Sequence, residues 1–303
     1  MAGIMMGAYA LGIGAAAVVV WLAVHRRRGD AARAGIRPVL HAARRRAVIA
    51  VVFSTIVFIA GALVGIAIPE MLGQSFAVTP LIAGAAGMLL YSATPPRQIV
   101  LRADEPRAAQ LVPRSALSAV PSRWATGFLV TTVAFIALVV FCGMTADLDE
   151  QGRSRTIGFE SEEVSSWSSP YPGWFYGVPV LIALVVLVAC TAIALQRISA
   201  TPAFPRPADA VLDQLWRRRS VEVILKLGIG AILFSLGGIA ATAGMAMGNA
   251  VIAGSTPILW SVMSGVLWIS GAVALVLSIV SVTLAGLTAV TIGEAATRME
   301  SVR

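Results

Sequence analysis

The chain has 303 residues, of which 58% are hydrophobic and only 13% charged, with a formal net charge of +8. Ordinary globular proteins carry about 25% charged residues, and a soluble fold cannot cover its surface with so few. A lipid-facing surface favours apolar side chains, so the composition excludes an ordinary soluble domain and predicts an all-α, polytopic transmembrane helix bundle.

About 20 apolar residues cross the hydrocarbon core at 1.5 Å per residue. Seven stretches qualify: Gly3–Val24, Ala47–Ile68, Ala77–Thr94, Ala125–Ala146, Trp174–Leu195, Val221–Met247 and Ile258–Leu287. Residues 1–303 read as a single transmembrane domain, with no separate soluble one. The first stretch lacks a basic lead-in and is followed by His25–Arg28 (HRRR), the charge order of an uncleaved first span with its N-terminus outside. The third is short, holds Pro80, and has a start that is open as far back as Met71. The last is long enough to tilt or to run on beyond the bilayer.

With seven spans, all 23 basic residues except Arg153 and Arg155 fall on one side. The positive-inside rule makes that side cytoplasmic and places the C-terminus there. Trp21, Trp124 and Trp216 fall at inner span ends, and Trp167, Trp174 and Trp260 at outer ends, the depth that indoles prefer. Trp268 is the exception. Cys142 and Cys190 lie near opposite faces, so no disulfide is expected and both read as buried structural thiols.

The external segment 147–173 holds Asp147, Asp149, Glu150, Glu160, Glu162 and Glu163, followed by the aromatic and proline cluster Ser165–Gly177. The acids lack the spacing of a calcium loop and read as solvated. The cluster reads as an interfacial anchor turning the chain into the fifth span. The sharper alternative is an external ligand rim built from Glu160, Glu162, Glu163, Trp167, Tyr171 and Trp174. The tetrapeptide SATP ends two outside-to-inside spans, at Ser92–Pro95 and Ser199–Pro202. It hints at repeated helical hairpins, or at a shared helix stop before proline.

Ala208–Ser220 reads as a basic amphipathic helix running into the sixth span. Such a helix ordinarily lies on anionic headgroups. The alternative is a docking surface for a cytoplasmic partner, carried by Trp216, Arg217, Arg218 and Arg219. Small residues recur at i, i+4, as in Gly61 and Gly65 or Gly244 and Gly248, and let helices approach closely in lipid. The sixth span adds Gly228, Gly230, Gly237 and Gly238, enough that unwinding, as in some transporters, enters as an alternative.

Ionisable residues at membrane depth usually mark function, and here the spans hold only Glu222 and Lys226, one turn apart at a span end. That argues against a proton relay, a retinal Schiff base in the last span, axial haem histidines and intramembrane protease sets, and no nucleotide-binding or CxxC motif occurs. Topology explains the basic loops without nucleic acid. The sequence therefore predicts no catalytic residue, cofactor or metal site. Pro170–Pro179 (PYPGWFYGVP) and Arg206–Ser220 (RPADAVLDQLWRRRS) resemble uncharacterised multi-pass membrane proteins of actinobacteria. The resemblance implies a bacterial cytoplasmic (inner) membrane and carries over no activity. The Arg-rich, Lys-poor composition fits such a GC-rich source.

Three functions follow as expectations. The first is a non-catalytic, accessory or permease-like component working in the lipid bilayer with a cytoplasmic ATPase or another membrane-complex subunit. The second is a stand-alone transporter for a neutral or apolar solute, using Ser54, Thr55, Thr131, Thr132, Ser235 and Thr242 as an uncharged lining. The third is an outer-face enzyme using the acids of 147–173.

Overall fold

The computed structural model describes residues 37–94, 121–160, 165–202, 204, 210–251 and 256–292. The expected first span, Gly3–Val24, lies outside them, as do Glu162, Glu163 and the basic segment 95–120. Among the described residues there are six α-helices: α1 (Arg37–Ala67), α2 (Gln74–Ala93), α3 (Ser122–Met144), α4 (Trp174–Ala200), α5 (Ala210–Asn249) and α6 (Ile258–Val290). All six are long and apolar enough to cross a membrane. They alternate in direction, so one end of the bundle gathers Arg44–Arg46, Arg123, Arg197 and Arg217–Arg219, and the other carries Arg153 and Arg155.

The boundaries have local causes. Between α1 and α2 a 3₁₀ turn, Pro69–Met71, ends on Leu72 (φ 50°) and Gly73 (φ 88°), which reverse the chain, so α2 begins at Gln74, earlier than Ala77. The Gln74 side-chain amide then donates to the Phe175 carbonyl oxygen at 2.8 Å, joining the starts of α2 and α4. Both SATP copies end helices alike. Thr94 and Thr201 each turn a hydroxyl onto the carbonyl oxygen four residues back, at Leu90 and Arg197. At the arginine-rich end, buried Arg46 lies 4.5 Å over the Tyr91 ring and donates to the Tyr91 carbonyl oxygen at 3.0 Å, tying α1 to α2.

The bundle is not purely helical. The segment between α3 and α4 folds as a three-stranded antiparallel sheet, β1 (Asp147–Leu148), β2 (Ser154–Glu160) and β3 (Ser165–Ser168), in the order β1-β2-β3. The fold is mostly helical, as expected, but this sheet corrects the all-α expectation in part; within β2 only Ile157 is buried. Gly158 pairs with Trp167, whose indole occupies the space a side chain would fill.

Helix α5 is the central element, and its apolar stretch is buried by its neighbours on nearly every side. It runs uninterrupted for 40 residues, so the glycine-rich span does not unwind. The glycines serve packing instead. Gly230, Gly237 and Gly244, seven apart, face α6, where a Cβ would meet Val282, the Gly271 backbone and the Trp268 backbone. Because the backbones approach so closely, α6 hydroxyls reach α5 carbonyl oxygens. Ser281 donates to Lys226, Ser278 to Gly230 and Ser264 to Gly244, at 2.7–2.9 Å. Such bonds contribute about 0.6 kcal/mol each in membrane helices, and dispersion across the small-residue seam adds to them.

Candidate functional site

Two cavities lie end to end along α5. The one towards the arginine-rich end is about 70 Å³ and is lined by α1, α2, α5 and α6, including Ser54, Thr55, Pro80, Gly230 and Ser278. The other is about 80 Å³ and opens below the strand-bearing end, lined by Gly73, Phe76, Pro170, Pro172, Tyr176, Ser235 and Thr242 among others. Phe234 lines both. It stands half-way along the apolar stretch Val221–Met247, so the pair of cavities reaches the middle of the bundle from either side.

The division between them is aromatic. Phe58 of α1 meets Phe234 edge to face, with ring centroids 5.1 Å apart and planes at 82°. Phe76 of α2 and Leu275 of α6 pack against the same ring. An edge-to-face pair contributes about 0.5–1.5 kcal/mol beyond its buried area, which holds the partition without locking it.

The lining is polar but uncharged. Of its hydroxyls, Thr55 donates to the Val51 carbonyl oxygen, Ser235 to Ala77 and Ser278 to Gly230. Ser54 and Thr242 make no hydrogen bond among the described residues, which leaves one unused hydroxyl in each cavity. Of the six expected lining residues, Ser54, Thr55, Ser235 and Thr242 are brought to the two cavities. Thr131 and Thr132 on α3 turn their hydroxyls onto Gly127 and Phe128 of their own helix and do not line them. Sequence reasoning missed Phe58, Phe76, Phe234 and Ser278. The available signal for Phe234 was a bulky aromatic set between Gly230 and Gly237 in the most glycine-rich span.

The strand-bearing end roofs the cavity beside it through Pro170 and Pro172. Tyr176 donates its phenol to the Leu72 carbonyl oxygen at 2.8 Å, fastening α4 to the turn before α2. Among the expected rim residues, Glu160 is exposed, Trp167 is 56% exposed and Trp174 37%. Tyr171 is fully buried, with its phenol 2.6 Å from the Thr145 hydroxyl, so it offers a ligand no surface. Burial pushes its pKa up.

Two of the acids are not simply solvated. Asp147 accepts the Gly158 N–H at 3.0 Å, and Asp149 accepts N–H groups of Gln151 and Arg153. Arg153 Nε and Arg155 Nε lie 2.9 and 2.8 Å from the Asp149 carboxylate. Desolvation pushes Asp149 up, but the bonds from Arg153 and Gln151 and the Arg153 charge outweigh it and hold the group below the usual carboxylate range. Among the described residues no group of three or more His, Cys, Asp or Glu is placed to hold a metal ion. Cys142 and Cys190 are free and buried.

At the other end, the amphipathic start of α5 turns one face inward. Asp213, Trp216, Arg217 and Ser220, spaced three and four apart, are buried against the bundle, not laid on a membrane surface. The expected docking set therefore divides. Trp216 donates its indole N–H to Asp213 at 3.0 Å, and Arg217 is spent on Asp213 and on the end of α4. Arg218 and Arg219 stay exposed, with their guanidinium groups 3.5 Å from Glu222. Glu222 is also 3.5 Å from Lys226, which does not snorkel outward. The Lys226 ammonium donates to the Thr288 hydroxyl at 2.8 Å and lies 4.8 Å over the Trp124 ring. No family model, curated protein or solved structure matches the chain.

Proposed function

We propose that this chain is a seven-span protein of a bacterial cytoplasmic membrane, with its N-terminus outside and its C-terminus in the cytoplasm, that passes a small uncharged solute and performs no chemistry on it. The observation that carries the reading is the pair of cavities along α5, lined by hydroxyls and apolar groups with no acidic or basic side chain. An ion entering such a lining loses its hydration with nothing to replace it, whereas a neutral polar solute finds a hydroxyl on each side. The charge partition supports the orientation.

The test is flux into proteoliposomes, measured by stopped-flow light scattering with urea and glycerol. Faster entry than into protein-free vesicles of the same lipid, without added potassium conductance, is the expected result. Rates equal to those of protein-free vesicles would remove this reading.

A second reading, an accessory subunit held by a cytoplasmic ATPase or other complex member, draws on the exposure of Arg218 and Arg219. Purification in mild detergent of the wild type and of a chain carrying Arg218→Glu and Arg219→Glu tests it. A partner retained by the first and lost by the second is expected. A wild-type chain that purifies alone argues against it.

A further inference from the structure

We propose that the Phe234 ring is the gate of this path, and that the path takes uncharged hydroxyl- or amide-bearing solutes of about three to six non-hydrogen atoms, given about 30 Å³ per water molecule as the scale of the cavities. The inference rests on the solute-path reading and adds a moving part and a size limit to it.

The gate follows from shared walls. Phe234 is the only aromatic ring that lines both cavities, while Phe58 lines the one towards the arginines and Phe76 the one below the strands. Phe58 and Phe76 pack against Phe234 from α1 and α2. A change of rotamer at Phe234, with adjustment of the side chains packed around it, is the movement that would join the cavities, on the timescale of side-chain rearrangement. The surroundings leave α5 itself fixed, because Gly230 and Gly237 on either side are locked against α6. The ring is the one side chain of that stretch that lines both cavities.

Specificity follows from what the ring separates. Ser54 lies on one side and Thr242 on the other, each with a hydroxyl unclaimed among the described residues. A solute that donates and accepts hydrogen bonds exchanges one for the other as it passes the aromatic ring. A charged one finds no counter-charge in either lining. Volumes of about 70 and 80 Å³ match a solute of the size of urea or glycerol better than a sugar.

The test uses single cysteines in a full-length chain whose Cys142 and Cys190 are replaced by alanine, reconstituted in vesicles. Ser54→Cys and Thr242→Cys report on the two cavities through their rates of reaction with a small thiol reagent added from the strand-bearing side. Thr242→Cys is expected to react equally with or without Phe234→Ala. Ser54→Cys is expected to react about tenfold faster once Phe234→Ala is added, the factor given by about 1.4 kcal/mol off a barrier. Phe234→Leu, which keeps an apolar side chain in the seam, guards against misfolding and is expected to fall between. Unchanged labelling of Ser54→Cys in both variants overturns the gate. Faster labelling while no variant passes urea or glycerol leaves the gate standing and removes the solute reading. Faster labelling with faster urea and glycerol entry, and unchanged entry of sorbitol and potassium, supports gate and size limit together. Sorbitol entry equal to that of glycerol overturns the size limit.

Discussion

Arg217 of α5 donates to the carbonyl oxygen of Thr201 at 2.7 Å, immediately beyond the end of α4. It also reaches the Ile198 carbonyl oxygen at 2.6 Å and pairs with Asp213 one turn earlier. The last carbonyl groups of a helix have no partner within it, and here one buried guanidinium supplies several. The positive charge also suits the negative end of the helix dipole. An arginine that topology alone would count as a cytoplasmic charge is thus a clasp between two spans.

Replacing Arg217 with Met should cost about 3 kcal/mol, since it strands the carboxylate of Asp213 and the α4 carbonyls in a buried setting. Arg218→Met, at an exposed pair, should cost under about 1 kcal/mol. Unfolding of the purified protein in mixed detergent micelles, followed by circular dichroism, measures both. Equal losses would show that the clasp contributes nothing special.

Glu222 is within 3.5 Å of Arg218, Arg219 and Lys226 and is itself buried. Glu222→Gln should therefore destabilise by about 3 kcal/mol, as expected when one partner of a buried charge group is removed. Adding Lys226→Met to that variant should recover part of the loss, because the orphaned ammonium goes with it. The same unfolding measurement, run as a double-mutant cycle, checks the coupling. Strict additivity would contradict it.

Gly244→Ala places a Cβ against the Trp268 backbone, where neither helix can yield cheaply. It should cost about 1–3 kcal/mol, the usual range for overpacking. Gly265→Ala on α6 points into open space and should change stability by less than about 0.5 kcal/mol. Thermal aggregation midpoints of the two variants in one detergent give the comparison.

Asp149 titrates below its ordinary value in the folded loop. A depressed folded pKa means a contribution present above the unfolded value, about 3.9, and lost as pH falls through the folded one. Amide hydrogen exchange across 149–153, corrected for intrinsic rates, should accelerate as pH falls from about 5 towards 3 by this linkage. In Asp149→Asn that dependence should disappear and exchange should be fast throughout. A flat profile in the wild type would remove Asp149 from the account of the loop.

The proposed orientation gives its own outcome. Gly152→Cys in the strand-bearing loop should be labelled in intact cells by a reagent that cannot cross the membrane, and Arg218→Cys should not be until the cells are opened. The reverse pattern would invert the topology.

The sequence by itself determined that long apolar helices dominate this chain, and where six of them lie, because a backbone in hydrocarbon must satisfy its own hydrogen bonds and 20-residue apolar runs leave few ways to do so. Of the six hydroxyl residues it singled out, four line the two cavities, and it located the helical character of the segment before Val221. It did not reveal the sheet between α3 and α4, whose strands are short and lean on α4 and α5. Nor did it separate Arg217 from Arg218 and Arg219, since three adjacent arginines differ only in which way the helix turns them. Only the tertiary structure decided that the glycines of α5 serve α6 and leave that helix wound, that Tyr171 is interior, and that Phe58 and Phe234, 176 residues apart, meet between two cavities. Those outcomes depend on contacts between helices distant in sequence, and local hydropathy carries no record of which face meets which.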